Sequence, residues 1–209
     1  MRRLLLLALS AVCLAAGCGQ GSGAARAEAT TKPTYDPATG RLTQLTYDAN
    51  KDGVIDTWTD MDGKRPLRSR IDRDQDGRID RWEYYDANGR LARVGLSRAN
   101  SGKPDAWAYP GEDGRIARVE VSSTGDEKKI DRWEHYDGDD LVRAEEDTNG
   151  DGRPDKWEVY DRGVVKTAAF DENGDGHPDR RLTYDGSRLV TIESKPDASG
   201  RFTSRVEVR

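Results

Sequence analysis

The sequence predicts an all-β protein, an antiparallel meander of tandem β-hairpins in one elongated or curled sheet. Tryptophan recurs at intervals of 24, 25, 26 and 24 residues, at Trp58, Trp82, Trp107, Trp133 and Trp157. The segments between turn residues are too short for ordinary helices, and glycines interrupt any helical period. Asn-Gly turns flanked by aromatic and β-branched residues are typical of hairpins. Each unit of about 24 residues is therefore predicted to form one hairpin, and Asp-rich loops join successive hairpins.

The N-terminal segment predicts export. Arg2 and Arg3 precede an apolar run over residues 4–16, so residues 1–17 are predicted to be a signal peptide. That run is shorter than the roughly 20 apolar residues that span a bilayer. The sequence LAAGC, which ends at Cys18, resembles the lipobox of bacterial lipoproteins. The resemblance implies a lipidated Cys18 and a lipid-anchored envelope protein, in the outer membrane because Gly19 and not aspartate follows; an ordinary signal peptide is the alternative.

The mature chain is predicted to contain a tether and one repeat domain. Residues 18–33 are small and polar and are predicted to be the tether, while residues 34–209 carry the repeats. Charged residues make up 35% and hydrophobic residues 34% of the chain, a balance that favours disorder unless more than an apolar core stabilises the fold. Loss of two arginines with the signal peptide changes the net charge from −5 to −7, which argues against a nucleic-acid partner. Bound metal is the expected stabiliser.

The repeat unit has three parts, which are clearest in residues 72–96. An Asp/Asn/Gly loop precedes a strand with tryptophan and tyrosine, and a turn such as DANG at 86–89 leads into a second strand. An aspartate lies two residues before the tryptophan position in six units, at Asp56, Asp80, Asp105, Asp131, Asp155 and Asp179. Arg181 occupies the tryptophan position near the C-terminus, so the last units are predicted to be end caps.

The tryptophans occupy one position of the first strand and are predicted to lie along one face of the sheet. Such a stripe can be a binding platform for sugars or peptides, or a row of cross-strand packing contacts. Packing is the favoured interpretation because cross-strand aromatic contacts are a common way to stabilise a sheet.

The loops carry oxygen ligands at the spacing of an EF-hand calcium loop, which uses positions 1, 3, 5, 7, 9 and 12 with glycine at position 6. Two loops fit every position, with position 7 contributing its backbone carbonyl. The candidate ligands are Asp72, Asp74, Asp76, Arg78, Asp80 and Glu83 in the second repeat, and Asp147, Asn149, Asp151, Arg153, Asp155 and Glu158 in the fifth. Calcium prefers six to eight such oxygens, so these loops are predicted to bind Ca²⁺.

Two further loops lack only the closing glutamate and are predicted to bind calcium more weakly. Their candidate ligands are Asp48, Asn50, Asp52 and Asp56 in the first repeat, and Asp171, Asn173, Asp175, His177 through its carbonyl and Asp179 in the sixth. The third loop has lost its carboxylates except for Asp105, and no metal is expected there. The fourth retains Glu127, Asp131 and Glu134 and is at best a weak site. Asp and Asn acting only as turn residues is the alternative.

The loops resemble both EF-hand and thrombospondin type 3 calcium loops in their Asp spacing. No amphipathic helix flanks any loop, so the resemblance implies calcium that holds irregular chain together and not the opening of a helix pair. The other half of the unit, as in YDPATGRLTQLTYD from Tyr35, resembles the YD repeat of Rhs-type wall and shell proteins. That resemblance implies an architectural hairpin.

The composition offers little material for an active site. The only histidines are His135 and His177, and no thiol besides Cys18 remains after cleavage, so Ser-His-Asp and zinc arrangements are not expected. We therefore predict a non-enzymatic envelope lipoprotein, held to the membrane by the lipid on Cys18, in which calcium stabilises a scaffold that presents an extended surface to an envelope, glycan or protein ligand. A structural spacer or calcium buffer is the first alternative, and a hydrolase that uses paired carboxylates is the second.

Overall fold

The computed structural model describes residues 31–209, which form fifteen β-strands. The predicted signal peptide and Cys18 lie outside the described residues. The strands are β1 Thr31–Tyr35, β2 Leu42–Tyr47, β3 Thr57–Asp62, β4 Arg65–Ile71, β5 Arg81–Tyr85, β6 Leu91–Leu96, β7 Ala106–Pro110, β8 Ile116–Val121, β9 Arg132–Asp137, β10 Asp140–Glu146, β11 Lys156–Asp161, β12 Val164–Phe170, β13 Arg180–Asp185, β14 Arg188–Pro196 and β15 Phe202–Glu207. Strand β1 thus begins inside the segment 18–33 that the sequence assigns to the tether.

All fifteen strands belong to one sheet, in which each strand pairs antiparallel with the next along the chain. Strands β1 and β15 are its two edges, so the sheet is open. Within residues 31–209 no helix is long and apolar enough to cross a bilayer. The predicted all-β meander of tandem hairpins is confirmed.

The connections alternate in length, and this alternation places all the Asp-rich loops together. Short turns close the hairpins at one end of the strands; in the turn after β5, the Gly89 N–H donates to the Asp86 carbonyl at 3.0 Å. Gly89 has a φ of +76°, which a residue without a side chain adopts at little cost. Because antiparallel strands reverse direction at each step, every connection between hairpins lies at the opposite end. Those connections are 48–56, 72–80, 97–105, 122–131, 147–155 and 171–179, with a short seventh at 197–201.

The two faces of the sheet carry different side chains, because successive residues of a strand point to opposite sides. On the tryptophan face, Trp82 and Trp107 lie in register on either side of Gly95. A Cβ atom at Gly95 would approach the Pro104 ring at 3.2 Å, so the absence of a side chain lets the proline pack there. Trp82 is 8% and Trp107 3% exposed, and these central tryptophans are packing residues.

The opposite face, which we call the ladder face, holds a small apolar cluster at the centre of the sheet. Its buried members are Val94, Ala106, Ala108 and Val119. Val94, Ala108 and Val119 form one cross-strand row on β6, β7 and β8, and Ala106 lies two residues before Ala108 on the same face, between Leu96 and Val121. With so small a core, the outer strands depend on cross-strand polar pairs and on their loops.

Candidate metal centre

The recurrent aspartate closes each of the six long loops. Numbering each loop from its first residue, this aspartate is at position 9, or at position 10 in loop 122–131, which is one residue longer. In every loop its carboxylate accepts the backbone N–H of the second residue at 2.6 to 3.1 Å; these donors are Ala49, Arg73, Arg98, Ser123, Thr148 and Glu172. The contact is present in loops that have lost their other carboxylates. A structural role therefore explains why this residue recurs, and sequence reasoning, which treated it as a metal ligand, missed that role.

Backbone hydrogen bonds connect neighbouring loops into a row along one end of the sheet. The Asp72 N–H donates to the Asp56 carbonyl at 2.9 Å, and the Ser97 N–H donates to the Asp80 carbonyl at the same distance. The bond recurs at each later junction up to loop 171–179. Neighbouring loops are two strands apart, which corresponds to about 10 Å.

Loop 72–80 brings three carboxylates together. Asp72, Asp74 and Asp80 each offer an oxygen within 4.8 Å of the other two. Among residues 31–209 this is the one group of three or more His, Cys, Asp or Glu side chains with that spacing. Like charges this close repel each other, so a cation among them lowers the free energy of the loop.

The first of these carboxylates is buried and only half satisfied. Asp72 is 6% exposed, and its Oδ2 accepts the Gly77 N–H at 3.0 Å. Its Oδ1 is buried and has no hydrogen-bond donor among the described residues. Leaving a buried carboxylate oxygen without a partner is costly, and a metal ion supplies the missing partner. The three carboxylates can therefore hold a metal ion.

Two other predicted ligands of this loop, Asp76 and Glu83, accept hydrogen bonds elsewhere. The Arg78 N–H donates to Asp76 Oδ1 at 2.8 Å, and Asn100 Nδ2 donates to Asp76 Oδ2 at 2.9 Å. Both hydrogen bonds lower the pKa of Asp76, and the one from Asn100 has the larger effect. Glu83 lies on the ladder face, where Arg81 Nε and the Tyr85 hydroxyl donate to it at 2.8 and 2.6 Å. The structure does not bring Asp76 or Glu83 into the carboxylate group.

Loop 147–155, the other complete match to the calcium pattern, satisfies its own carboxylates. Asp147 Oδ1 accepts the Gly150 N–H at 2.7 Å, and its Oδ2 accepts the Gly152 N–H at 2.8 Å. The Asn149 side-chain oxygen accepts the Asp151 N–H at 2.8 Å. Asp151 accepts the Arg153 N–H, and Asp155 accepts the Thr148 N–H. Glu158 lies on the ladder face, where the Tyr160 hydroxyl donates to it.

The two partial loops close in the same way as loop 147–155. The Lys51 and Gly53 N–H groups donate to Asp48, and the Gly174 and Gly176 N–H groups donate to Asp171, all within 2.8 Å. Other predicted side-chain ligands also bond within their own loops: Asn50 donates to Asp52 and Asn173 to Asp179, Asp175 accepts the His177 N–H, and Asp56 accepts the Ala49 N–H. The first aspartate of these loops thus has a donor on each oxygen.

In the two eroded loops, serine replaces the first aspartate as the acceptor. Ser97 Oγ accepts the Ser101 N–H at 2.9 Å, and Ser122 Oγ accepts the Asp126 N–H at 3.1 Å. Glu127 forms an ion pair with Arg93. These loops therefore keep the fold of the others through neutral side chains.

A repeated ion-pair ladder crosses the ladder face. In three strands an arginine or lysine, a glutamate and a tyrosine occupy every second position, and the basic side chain and the tyrosine hydroxyl both donate to the glutamate. These triplets are Arg81–Glu83–Tyr85, Arg132–Glu134–Tyr136 and Lys156–Glu158–Tyr160. The sequence signal is the alternation in RWEYY, RWEHY and KWEVY. Arg132 also reaches across the small side chain of Ala144 to Glu158 at 3.2 Å. The glutamates at position 12 of the calcium pattern, Glu83 and Glu158, therefore lie in the sheet and belong to the ladder.

Comparisons of the chain with known protein families and with curated proteins give no match. The candidate site accordingly rests on its own geometry. Its donors are carboxylate oxygens, and no histidine or cysteine belongs to the group. Oxygen ligands of this kind suit hard cations such as Ca²⁺, Mg²⁺ and Mn²⁺.

Proposed function

We propose that this protein is a non-enzymatic, calcium-stabilised β-scaffold of the bacterial envelope, with its calcium centre at Asp72, Asp74 and Asp80. The observation that carries the proposal is the convergence of three carboxylates, one of which, Asp72, has a buried oxygen, Oδ1, with no hydrogen-bond donor among the described residues. A cation there neutralises repulsion within loop 72–80 and fastens the first residue of the loop to its last.

Calcium fits this loop better than magnesium does. Asp74 is exposed and loop 72–80 is irregular, so water can complete a flexible coordination shell. Magnesium demands a near-ideal octahedron at short distances, which three side chains on an irregular loop do not preset. Extracellular calcium modules of this kind work at about 10⁻⁴ to 10⁻³ M.

The scaffold function follows from the single open sheet. With strands about 4.8 Å apart, fifteen of them extend roughly 65–70 Å along the sheet. We propose that the lipid on Cys18 anchors this array to the envelope, in the outer membrane, where its surface meets an envelope, glycan or protein ligand. The burial of Trp82 and Trp107 argues against a sugar platform at these two residues and supports a second candidate function, a structural spacer.

Thermal unfolding of the full chain in EDTA and in 10 mM CaCl₂ tests the calcium centre. For a Kd of 10⁻⁴ M, calcium at about 100 times Kd adds roughly 2.7 kcal/mol to the free energy of unfolding and raises Tm by several degrees. Asp72→Asn should abolish most of this increment and cost little in EDTA. The matched control is Asp147→Asn, which should lower Tm in EDTA because the N–H groups of Gly150 and Gly152 lose a charged acceptor, and should keep the calcium increment. Identical melting of the unmodified chain in EDTA and calcium would refute the proposal.

A further inference from the structure

The third loop, 97–105, contacts loop 72–80 although Asp105 is the one carboxylate that it retains. Asn100, at position 4 of loop 97–105, donates from Nδ2 to Asp76 Oδ2 at 2.9 Å. Its backbone carbonyl accepts a hydrogen bond from Arg78 Nη1 at 3.0 Å. A side chain on one loop thus occupies an oxygen that the calcium pattern assigns as a ligand in its neighbour.

Close packing accompanies the amide contact between these two loops. Asn100 has a φ of +50°, and position 4 has a positive φ in the other five long loops as well, so this backbone conformation is common to the row of loops. A Cβ atom at Gly102 would lie 3.4 Å from the Arg78 Cβ, so loop 97–105 packs closely against Arg78. Asn100 Oδ1 is buried and has no donor among the described residues, so the amide is held in place through its nitrogen.

Later loops lack this contact. Position 4 is Gly125 in loop 122–131, Gly150 in loop 147–155 and Gly174 in loop 171–179, and a glycine has no side-chain amide with which to reach the loop before it. Asp151, which lies before Gly174 as Asp76 lies before Asn100, accepts only the Arg153 N–H among the described residues. The Asn100 side-chain amide therefore restrains Asp76 at position 5 of loop 72–80. Within residues 31–209, Asp151 at position 5 of loop 147–155 has no such restraint from loop 171–179.

We propose that Asn100 sets the cation affinity of the metal centre by holding Asp76 outside the group of Asp72, Asp74 and Asp80. The inference rests on the calcium centre proposed above. Affinity in calcium loops rises with the number of charged ligands, so a neighbouring repeat that withholds one carboxylate weakens the site. Release of Asp76 supplies a fourth carboxylate to the cation.

A double-mutant cycle on the full chain, followed by isothermal titration with CaCl₂, tests this role. Asn100→Gly removes the side-chain amide without backbone strain, since glycine adopts positive φ freely and stands at this position in three sister loops. Calcium should bind about tenfold more tightly to this variant. Asp76→Asn alone should change the affinity less than about twofold, and in the Asn100→Gly background it should cancel the gain. Asn88→Gly, the same change in a turn at the other end of the strands, is the control and should leave the affinity unchanged.

The outcomes separate this inference from the proposed calcium centre. Calcium binding by the unmodified chain with equal or weaker binding by Asn100→Gly would overturn the role of Asn100 and leave the centre intact. A gain that survives Asp76→Asn would also overturn it, because the gain would then come from a looser loop and not from that carboxylate. Absence of calcium binding in both the unmodified chain and Asn100→Gly would refute both proposals.

Discussion

Loops 72–80 and 147–155 match the same calcium pattern at every ligand position, yet they differ in the hydrogen bonds that their first aspartate accepts. Asp147 accepts a backbone N–H on each oxygen and is satisfied without a cation. Asp72 accepts one on Oδ2, and its Oδ1 is buried without a donor among the described residues. Asp74 and Asp80 lie beside it. The first aspartate of loop 147–155 is therefore satisfied within its own loop, whereas that of loop 72–80 leaves an oxygen to which a cation could bind.

The difference begins at position 3. Asn149 accepts the Asp151 N–H at 2.8 Å and adds no charge, whereas Asp74 accepts the Asp76 N–H at 3.3 Å and adds a third carboxylate to the group. An uncharged amide lets the loop contract around its own N–H groups, while a third carboxylate opposes contraction by repulsion. A ligand pattern in the sequence therefore does not separate a loop whose carboxylates converge from one whose carboxylates are satisfied by its own N–H groups.

The largest expected effect contrasts the closing aspartates. Asp155 accepts hydrogen bonds from the Thr148 N–H, the Thr148 hydroxyl and the Asn149 N–H, whereas Asp80 accepts one from the Arg73 N–H. In EDTA, Asp155→Ala should cost about 3 kcal/mol of unfolding free energy and Asp80→Ala about 1.5 kcal/mol. Urea unfolding measures both. Calcium should enlarge the deficit of Asp80→Ala and leave that of Asp155→Ala unchanged; equal losses in EDTA would contradict the contrast.

An intermediate effect concerns position 12. Glu158 binds Lys156, Tyr160 and Arg132, while Glu83 binds Arg81 and Tyr85. Because both glutamates belong to the ladder, Glu158→Gln should cost about 2 kcal/mol and Glu83→Gln about 1 kcal/mol in urea unfolding.

The same variants separate a ladder residue from a metal ligand. Calcium titration of Glu83→Gln should give an affinity within about twofold of the unmodified chain, since the glutamate is outside the carboxylate group. A loss of more than about tenfold would restore Glu83 as the closing ligand of an EF-hand-like site.

The smallest effect at neutral pH concerns the tyrosines of the ladder. Burial, and then the hydrogen bond to Glu83, raise the pKa of Tyr85 from 10.0 to about 12. A raised pKa means that the neutral phenol stabilises the fold; this contribution is complete below pH 10 and is lost as the pH rises to about 12. Absorbance titration at 295 nm should show a late-titrating tyrosine that Tyr85→Phe removes, and Glu83→Gln should lower its pKa. A Tyr85 that titrates at its ordinary value would contradict the ladder contact. Tyr160, whose pKa is also raised, is the matched residue beside loop 147–155.

Local sequence was enough to predict the hairpins because each unit repeats its own turn and strand signals. Gly89 follows Asp86 in a short turn, and Trp82 follows Asp80 at an interval that recurs in other units. The same turn and strand positions are therefore indicated several times along the chain. The loop carboxylates were also found, since their alternation with glycine is visible within nine residues. Asn100 was missed because its contact with Asp76 spans 24 residues and two loops, and nothing in its own loop suggests a ligand.

The sequence by itself determined the architecture, since a repeat of about 24 residues with alternating strands has few ways to fold other than a meander. Only the folded sheet shows which loop brings together three carboxylates that could hold a metal ion. Strand alternation turns Glu83 onto the ladder face, and Asp76 accepts a hydrogen bond from Asn100 of the next loop. Both effects depend on which atoms meet across strands. A residue pattern read along one strand contains no information about those contacts.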